Sequence, residues 1–368
     1  MKVLIVAGLF YPATLGGPAN TLYWIAKSLV QKGIDVLVVT SNSYIDRSEI
    51  KADSWIEISG IKVRYCSCRG KIASRIIWNA IKSVELVDTI ILSSVCFIPN
   101  TIVAKIAIWK RKKVIWSPRG ELFDNAVGGN KQKLLFFKFL KYFFSHNIVF
   151  HATSIEEETC IRNILGSDAN VIVIPNYMEL PPVIEKTIPD APYFLYVGRI
   201  APIKALDNLI MALGESQLFM KSDYLMKIVG SDQNGFKAKL EEIINTFPHL
   251  KDKVQFLGVV VGEDKIRLYR NARFSILVSH SENFGNVVLE SLSQGTPVLV
   301  SHGTPWQIVD SEKAGFWIDN NPSEISKYVD AILSQGEVEY QQFRDNATTL
   351  AASYDITLHI EEWIQVVS

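Results

Sequence analysis

The sequence predicts an α/β protein of two doubly wound, Rossmann-like domains facing each other across a cleft. Three observations carry that expectation. Short β-branched runs alternate with helical segments, a proline-rich stretch interrupts the alternation near mid-chain, and the alternation then begins again. The length of 368 residues also favours two cores over one. With 48% hydrophobic and 21% charged residues, the composition is that of a globular chain with ample apolar material to bury.

Taken in order, "KVLIVAG" is a continuous apolar run, the pattern of a strand covered on both faces. "PANTLYWIAKSLVQKG" reads as a helix ended by Gly33, and "DVLVVTS" as the next strand. "TIILSS", "KVIWSP", "IVFHATS" and "VIVIPN" continue the series of strands. The stretch "MELPPVIEKTIPDAP" holds four prolines and little periodicity, which is linker chemistry. A hinge is therefore set at 179–192, with a first domain over 1–178 and a second over 193–351. "YFLYVGR", "YLMKIVG", "VQFLGVV", "FSILVSH" and "TPVLVSH" are the strands of the second domain, and "TLHIEEWIQVVS" is a terminal helix. Ligands of such sheets bind beyond the carboxyl ends of the strands, and a tandem pair makes a cleft between its halves.

Charge is unevenly spread although the net charge is zero. Residues 1–180 hold 22 Lys and Arg against 14 Asp and Glu, and residues 181–368 hold 16 against 24. A basic half can face a membrane surface or a phosphorylated ligand, while chance placement on solvated faces is the alternative. The four cysteines, Cys66, Cys68, Cys96 and Cys160, are too few and too widely spaced for a zinc tetrahedron or a disulfide scaffold, so reduced thiols are expected. The first apolar run ends at Tyr11 and Pro12 and reads as a buried strand rather than a leader. No run approaches the ~18 apolar residues of a spanning helix, and the expected compartment is the cytoplasm.

The chemistry lies in the loops. "LGGPAN" follows the first strand, where Gly16 and Gly17 would let backbone N–H groups approach an anion at a helix start; an ordinary turn is the alternative. Dinucleotide and P-loop glycine patterns are absent, which argues against a nicotinamide dehydrogenase or a P-loop NTPase. "YVGRIAPIKALDNLIMAL" places Arg199 and Lys204 between a strand and a helix, well set to neutralise a diphosphate. In "FSILVSHSENFGNVVLESLSQG" a strand, an exit loop and a helix succeed one another, with Gly295 as the helix stop. Phe284, Gly285, Asn286 and Val287 then offer N–H groups at a helix start. Glu282 lies in the loop, and Glu290 about one turn into the helix, where it can accept hydrogen bonds from a diol. Two carboxylates at two depths suit a long ligand with hydroxyls at both ends and a phosphate between.

Together these segments resemble the retaining GT-B glycosyltransferases of the large family 4 type, in the bacterial group of cell-envelope polysaccharide enzymes. The E-x7-E of "ENFGNVVLE", the G-R-x4-K of "GRIAPIK", "VIPNYME" with Tyr177 in place of a glycine, "LGGPAN" and "HATSIEEE" carry the likeness, over about residues 1–320. The resemblance implies that Glu290 binds the ribose of a nucleotide sugar and that Arg199 and Lys204 hold its diphosphate. It implies further that Glu282 and the 284–286 backbone grip the donor sugar. Gly230, Val287 and the Val259–Val260 backbone would complete the donor site, and a helix over about 352–368 would cross back onto the first domain. Many relatives carry a histidine on the acceptor side; "VIWSPRGEL" instead offers Arg119 for that contact or for an acceptor phosphate, with Glu121 as the alternative.

The reaction implied by the resemblance is same-face sugar transfer from a UDP-sugar, or a GDP-sugar, to a glycan or polyprenyl-diphosphate-linked acceptor in O-antigen, capsule or exopolysaccharide assembly. No D-x-D triplet or metal-ligand cluster occurs, so neither metal nor cofactor is expected. A nucleotide-sugar 2-epimerase of the same fold is the alternative, though the few histidines are not grouped for it. A two-domain sugar-binding protein is a further one. "KQKLLFFKFLKYFFSHN", residues 131–147, interleaves lysines and aromatics, as a peripheral contact with an anionic membrane would; packing on the sheet is the other reading. Nucleic acid is not expected.

Overall fold

The structure, a computed structural model, describes residues 1–13, 17–45, 50–68, 73–128, 131–144, 146–187 and 189–368. It divides into two compact units, Met1–Glu179 with Asp355–Ser368, and Leu180–Tyr354.

The first unit keeps the sequence's strand-then-helix rhythm. β1 (Lys2–Val6) leads to α1 (Gly17–Gln31) and β2 (Asp35–Ser41). A hairpin of β3 (Trp55–Ile58) and β4 (Ile61–Cys66) comes next. Then come α2 (Ser74–Val84), β5 (Thr89–Ser93), α3 (Ile98–Trp109) and β6 (Lys113–Ser117). The unit continues with α4 (Asp124–Val127), α5 (Lys131–Phe144), β7 (Val149–Ala152), α6 (Ile155–Leu165) and β8 (Val171–Val173). The eight strands lie in the order β3-β4-β2-β1-β5-β6-β7-β8, parallel except for β3. Val3, Leu4, Ile5 and Val6 are fully buried, as a strand covered on both faces requires. Moving any one of them out of water into this core contributes about 1.5–3 kcal/mol.

In the second unit β9 (Tyr193–Val197) is followed by a 3-10 turn (Pro202–Lys204), α7 (Leu206–Glu215), α8 (Gln217–Lys221) and β10 (Leu225–Val229). Next come α9 (Phe236–Thr246), β11 (Val254–Gly258), α10 (Gly262–Asn271), β12 (Ser275–Leu277) and α11 (Asn286–Ser293). β13 (Val298–Ser301), α12 (Ile308–Ser311), β14 (Gly315–Ile318), α13 (Pro322–Ser334) and α14 (Glu337–Ala352) complete it. The sheet is wholly parallel in the order β11-β10-β9-β12-β13-β14. Its strand order reverses between β9 and β12, and a crevice opens at the carboxyl ends of the strands at such a reversal. In the first unit the reversal falls between β1 and β5.

The last helix, α15 (Ile356–Val367), belongs to the first unit and packs against α1. Thr89 Oγ1 donates to the Val367 carbonyl at 2.7 Å, and the buried Trp363 lies 4.7 Å from the His151 ring. The proline-rich stretch is fastened to the second unit: Thr187 N donates to Asn271 Oδ1 at 3.0 Å and Gln294 Nε2 to the Pro182 carbonyl at 3.3 Å. Among the described residues, no helix is long and apolar enough to cross a membrane.

Candidate functional site

At the reversal in the second unit, backbone packing forms the floor. Gly198 and Gly230 end β9 and β10, and a Cβ on Gly230 would stand 1.7 Å from the Gly198 carbonyl oxygen. Only glycine allows that approach. Arg199 comes directly after Gly198, with its side chain exposed and its guanidinium 3.0 Å from Gln233 Oε1. Tyr196, buried in the sheet, donates to the Arg199 carbonyl at 2.7 Å and braces the loop from below. The 3-10 turn then carries Lys204 back over the crevice, and Ala205, in the left-handed region at φ 50°, hands the chain on to α7.

Lys204 and Glu282 meet there. Their side chains form a close ion pair, 14% and 12% exposed, and Ser279 Oγ donates to the same Glu282 oxygen at 2.8 Å. The loops leaving β9 and β12 are thus joined across the reversal, with the backbone adding a bond from His280 N to the Ile203 carbonyl at 2.9 Å. Glu282 Oε2 takes no hydrogen bond among the described residues and remains available to a ligand hydroxyl.

Glu290 sits on α11, and its carboxylate is aimed by two side chains of α10. Lys265 Nζ lies 3.0 Å from each of its oxygens, and Tyr269 OH donates to Oε2 at 2.9 Å. Three bonds use three of roughly four acceptor positions, so room is left for a hydroxyl donor. Burial, and then the Glu290 charge beside it, hold the Tyr269 hydroxyl well above its ordinary pKa, so it stays a donor. Lys265 and Tyr269 were not singled out from sequence. Their signal is a K-x3-Y spacing on "GEDKIRLYRN", which puts both on one helix face.

The start of α11 is built around Gly285, whose φ of 82° ends the loop. Phe284 is buried against Trp306 with ring centroids 4.9 Å apart, and the Trp306 indole N–H donates to the Phe284 carbonyl. This anchor fixes where the first-turn N–H groups of Asn286 and Val287 point, and such groups favour an anion. Beyond β11, Val259 is 59% exposed and Val260 half-buried, at the end of the strand next to Gly230. All eleven of these predicted residues lie in the second unit, in loops at strand carboxyl ends or on α11.

The predicted residues of the first unit fare differently. Gly16 lies outside the described residues, and Gly17 is the first residue of α1. Glu121 is occupied in holding the loop after β5, accepting from Ser94 Oγ at 2.6 Å, Val95 N at 2.7 Å and Cys96 N at 2.9 Å. Arg119, at φ 58°, donates to Asn176 Oδ1 at 2.9 Å, and burial lowers its pKa to about 10. Its Nε and Nη2 atoms are buried without a hydrogen-bond partner. Beside it His151 is fully enclosed: Nε2 donates to the Ile174 carbonyl at 2.9 Å, which leaves Nδ1 to accept from Ser117 Oγ at 2.7 Å. Burial drives its pKa down to about 3, so the ring is neutral. Among the described residues no cluster of three His, Cys, Asp or Glu side chains is placed to hold a metal ion.

The half of the chain that holds Arg199, Lys204, Glu282 and Glu290 has recognisable relatives. Residues 183–350 match the family of glycosyl transferases group 1. Within the matched residues lie the predicted donor-site residues of the second unit. Over 147 residues, 39% of this chain, it is 33% identical to an uncharacterized glycosyltransferase, MJ1607, of Methanocaldococcus jannaschii. Over 150 residues it is 30% identical to a D-inositol 3-phosphate glycosyltransferase of Acidothermus cellulolyticus. These alignments span 36% and 33% of the two relatives' own lengths. In fold the likeness runs the length of the chain: Alr3699/HepE of Anabaena, solved in complex with UDP and glucose, superposes with a TM-score of 0.79 over 99% of this chain and 98% of its own, at 17% identity. The architecture is therefore the GT-B fold that the motifs implied.

Proposed function

We propose that this protein is a retaining glycosyltransferase that moves a sugar from a nucleoside-diphosphate donor to a glycan or polyprenyl-diphosphate-linked acceptor in surface-polysaccharide assembly. UDP-sugars are the preferred donors, ahead of GDP-sugars. The observation that carries the reading is the pairing of Lys204 with Glu282 at the strand-order reversal, together with Glu290 on the helix between them and β13. This reading gives Lys204 to a leaving diphosphate, Glu282 to sugar hydroxyls and Glu290 to a ribose diol, all within the residues that match the group 1 family. The UDP and glucose held by the Anabaena protein support the donor class. Relatives named for inositol 3-phosphate widen the acceptor class to phosphate-bearing polyols.

In the proposed reaction the bond from the anomeric carbon to the diphosphate oxygen breaks as Arg199 and Lys204 receive the growing charge. Preorganised donors of this kind lower barriers by roughly 3–4 kcal/mol each in other enzymes. The acceptor oxygen attacks from the same face, and its proton passes to the departing diphosphate oxygen. Glu282, held by Lys204 and Ser279, orients the sugar. No metal takes part in this scheme.

A peripheral membrane contact at the cytoplasmic face belongs to the same proposal. On α5, Phe137, Leu140 and Phe144 face the core, while Leu135 and Tyr142 are 70% and 81% exposed among Lys131, Lys138 and Lys141.

The test is transfer from labelled UDP-glucose, UDP-galactose, UDP-N-acetylglucosamine and GDP-mannose to polyprenyl-diphosphate saccharides, in the presence of EDTA. One donor is expected to give product, with the anomeric configuration kept by NMR. Failure of all four donors to transfer, with neither UDP nor GDP bound, would overturn the proposal.

A further inference from the structure

The first unit carries a groove that no part of the donor chemistry uses. It lies between the β3–β4 hairpin at the sheet edge and α2, and encloses about 560 Å³. That volume is within the ~300–1,000 Å³ range of ligand sites. Trp55 on β3 stands opposite Arg64 on β4 in the antiparallel register. On α2, Arg75, Trp78 and Lys82 recur at helical spacing and line the facing wall.

Two features set this groove apart from ordinary surface. Both indoles are open to solvent, Trp55 at 41% and Trp78 at 61%, so the core does not use them. Three cations also face one carboxylate, and that carboxylate is already taken. Asp53 pairs with Arg75 and accepts from the Ser67 hydroxyl. Arg64 is held in place by its bond to the Asp53 carbonyl at 2.8 Å, yet its Nε is buried without a partner. Lys82 has no carboxylate partner among the described residues; its ammonium sits 4.7 Å from the Trp78 ring centre. Arg64 likewise lies 5.9 Å from the Trp55 ring centre, so exposed indole surface and cations without a carboxylate partner stand side by side.

We propose that this groove binds an acidic glycan chain, a run of uronic-acid residues. A pyranose ring presents one face of C–H bonds that lies flat on an indole, and its carboxylate reaches the cations at the rim. Nucleic acid also stacks and carries charge, but it needs a broader basic surface than the two cations here that lack a carboxylate partner among the described residues, on a chain of zero net charge. A bilayer needs aromatic side chains that protrude, whereas these line a concavity. The inference rests on the first unit alone and stands apart from the donor reading.

Calorimetry and tryptophan quenching with a mannuronate tetrasaccharide test it on the full chain, with cellotetraose, a ten-residue oligothymidylate and phosphatidylglycerol vesicles alongside. Binding of the tetrasaccharide is expected, at least tenfold weaker in Trp78→Ala and in Lys82→Ala. UDP affinity should be unchanged in both variants, which also reports that they are folded. The proposal is overturned if the tetrasaccharide does not bind, or binds both variants as it binds the wild type. Equal affinity for cellotetraose, or a groove dependence seen only with the oligonucleotide or the vesicles, overturns it as well.

Discussion

The carboxyl ends of the two sheets carry the same kinds of side chain and use them in opposite ways. In the second unit, Arg199 is exposed, Glu282 keeps a free oxygen, and Glu290 retains an acceptor position beyond its bonds to Lys265 and Tyr269. In the first unit the carboxylates and the histidine are taken up by neighbouring donors and acceptors, although Arg119 keeps Nε and Nη2 without a partner. Glu121 is spent on the 94–96 loop, His151 bridges Ser117 and the Ile174 carbonyl, and the buried Glu157 accepts from Gly120 N at 2.6 Å and Thr153 N at 2.8 Å. The same fold therefore makes one set of loop ends whose carboxylates are taken up in holding shape and another whose carboxylates keep acceptor positions open. Polar networks that are fully paired rigidify the structure around them.

That contrast is open to direct attack. Lys204→Ala should cost the most in function, about 10²–10³-fold in kcat, with a smaller loss of stability because Glu282 keeps only its bond from Ser279. Steady-state rates and a melting curve on the same sample separate the two. Glu157→Ala should do the reverse, removing about 3 kcal/mol of stability because it strands buried N–H and O–H donors, while nucleotide affinity holds; urea unfolding measures it.

Acid should act on the first unit through His151. Its folded pKa of about 3 lies below the ordinary 6.5, so the unfolded chain gains a proton that the folded chain refuses. Its contribution is complete above pH 6.5 and declines as pH falls from there toward 3, by up to about 1.4 kcal/mol per pH unit. Denaturant melts at pH 7, 6 and 5 should show that slope, and His151→Gln should flatten it. Smallest of all, Tyr269→Phe removes one bond to Glu290 and should weaken UDP binding about fivefold, roughly 1 kcal/mol.

Much of the fold was legible because buried parallel strands are written as continuous apolar runs: "KVLIVAG", "DVLVVTS" and "YFLYVGR" each contain one. The β3–β4 hairpin was not, since Trp55–Ile58 is half exposed and its pattern is carried by one face only. Its turn, Ser59–Gly60, does leave a mark: both residues have positive φ, as a tight hairpin demands. Arg199, Lys204, Glu282 and Glu290 stood out as candidates because each occupies a loop or helix start just after a strand. Lys265 and Tyr269 did not, because they reach Glu290 from another helix, 25 and 21 residues away in sequence. The groove beside Trp55 and Trp78 was equally hidden, being formed by a hairpin and a helix that only tertiary packing brings together.

The central claim is that the open end of the second unit receives a nucleoside diphosphate through Glu290. Calorimetric titration of UDP and GDP, without metal, into the wild type and Glu290→Ala tests it most directly. One nucleotide should bind, and the variant should lose about 1–3 kcal/mol of affinity, roughly 5- to 150-fold. Equal binding by the variant, or no binding of either nucleotide to the wild type, would contradict the account.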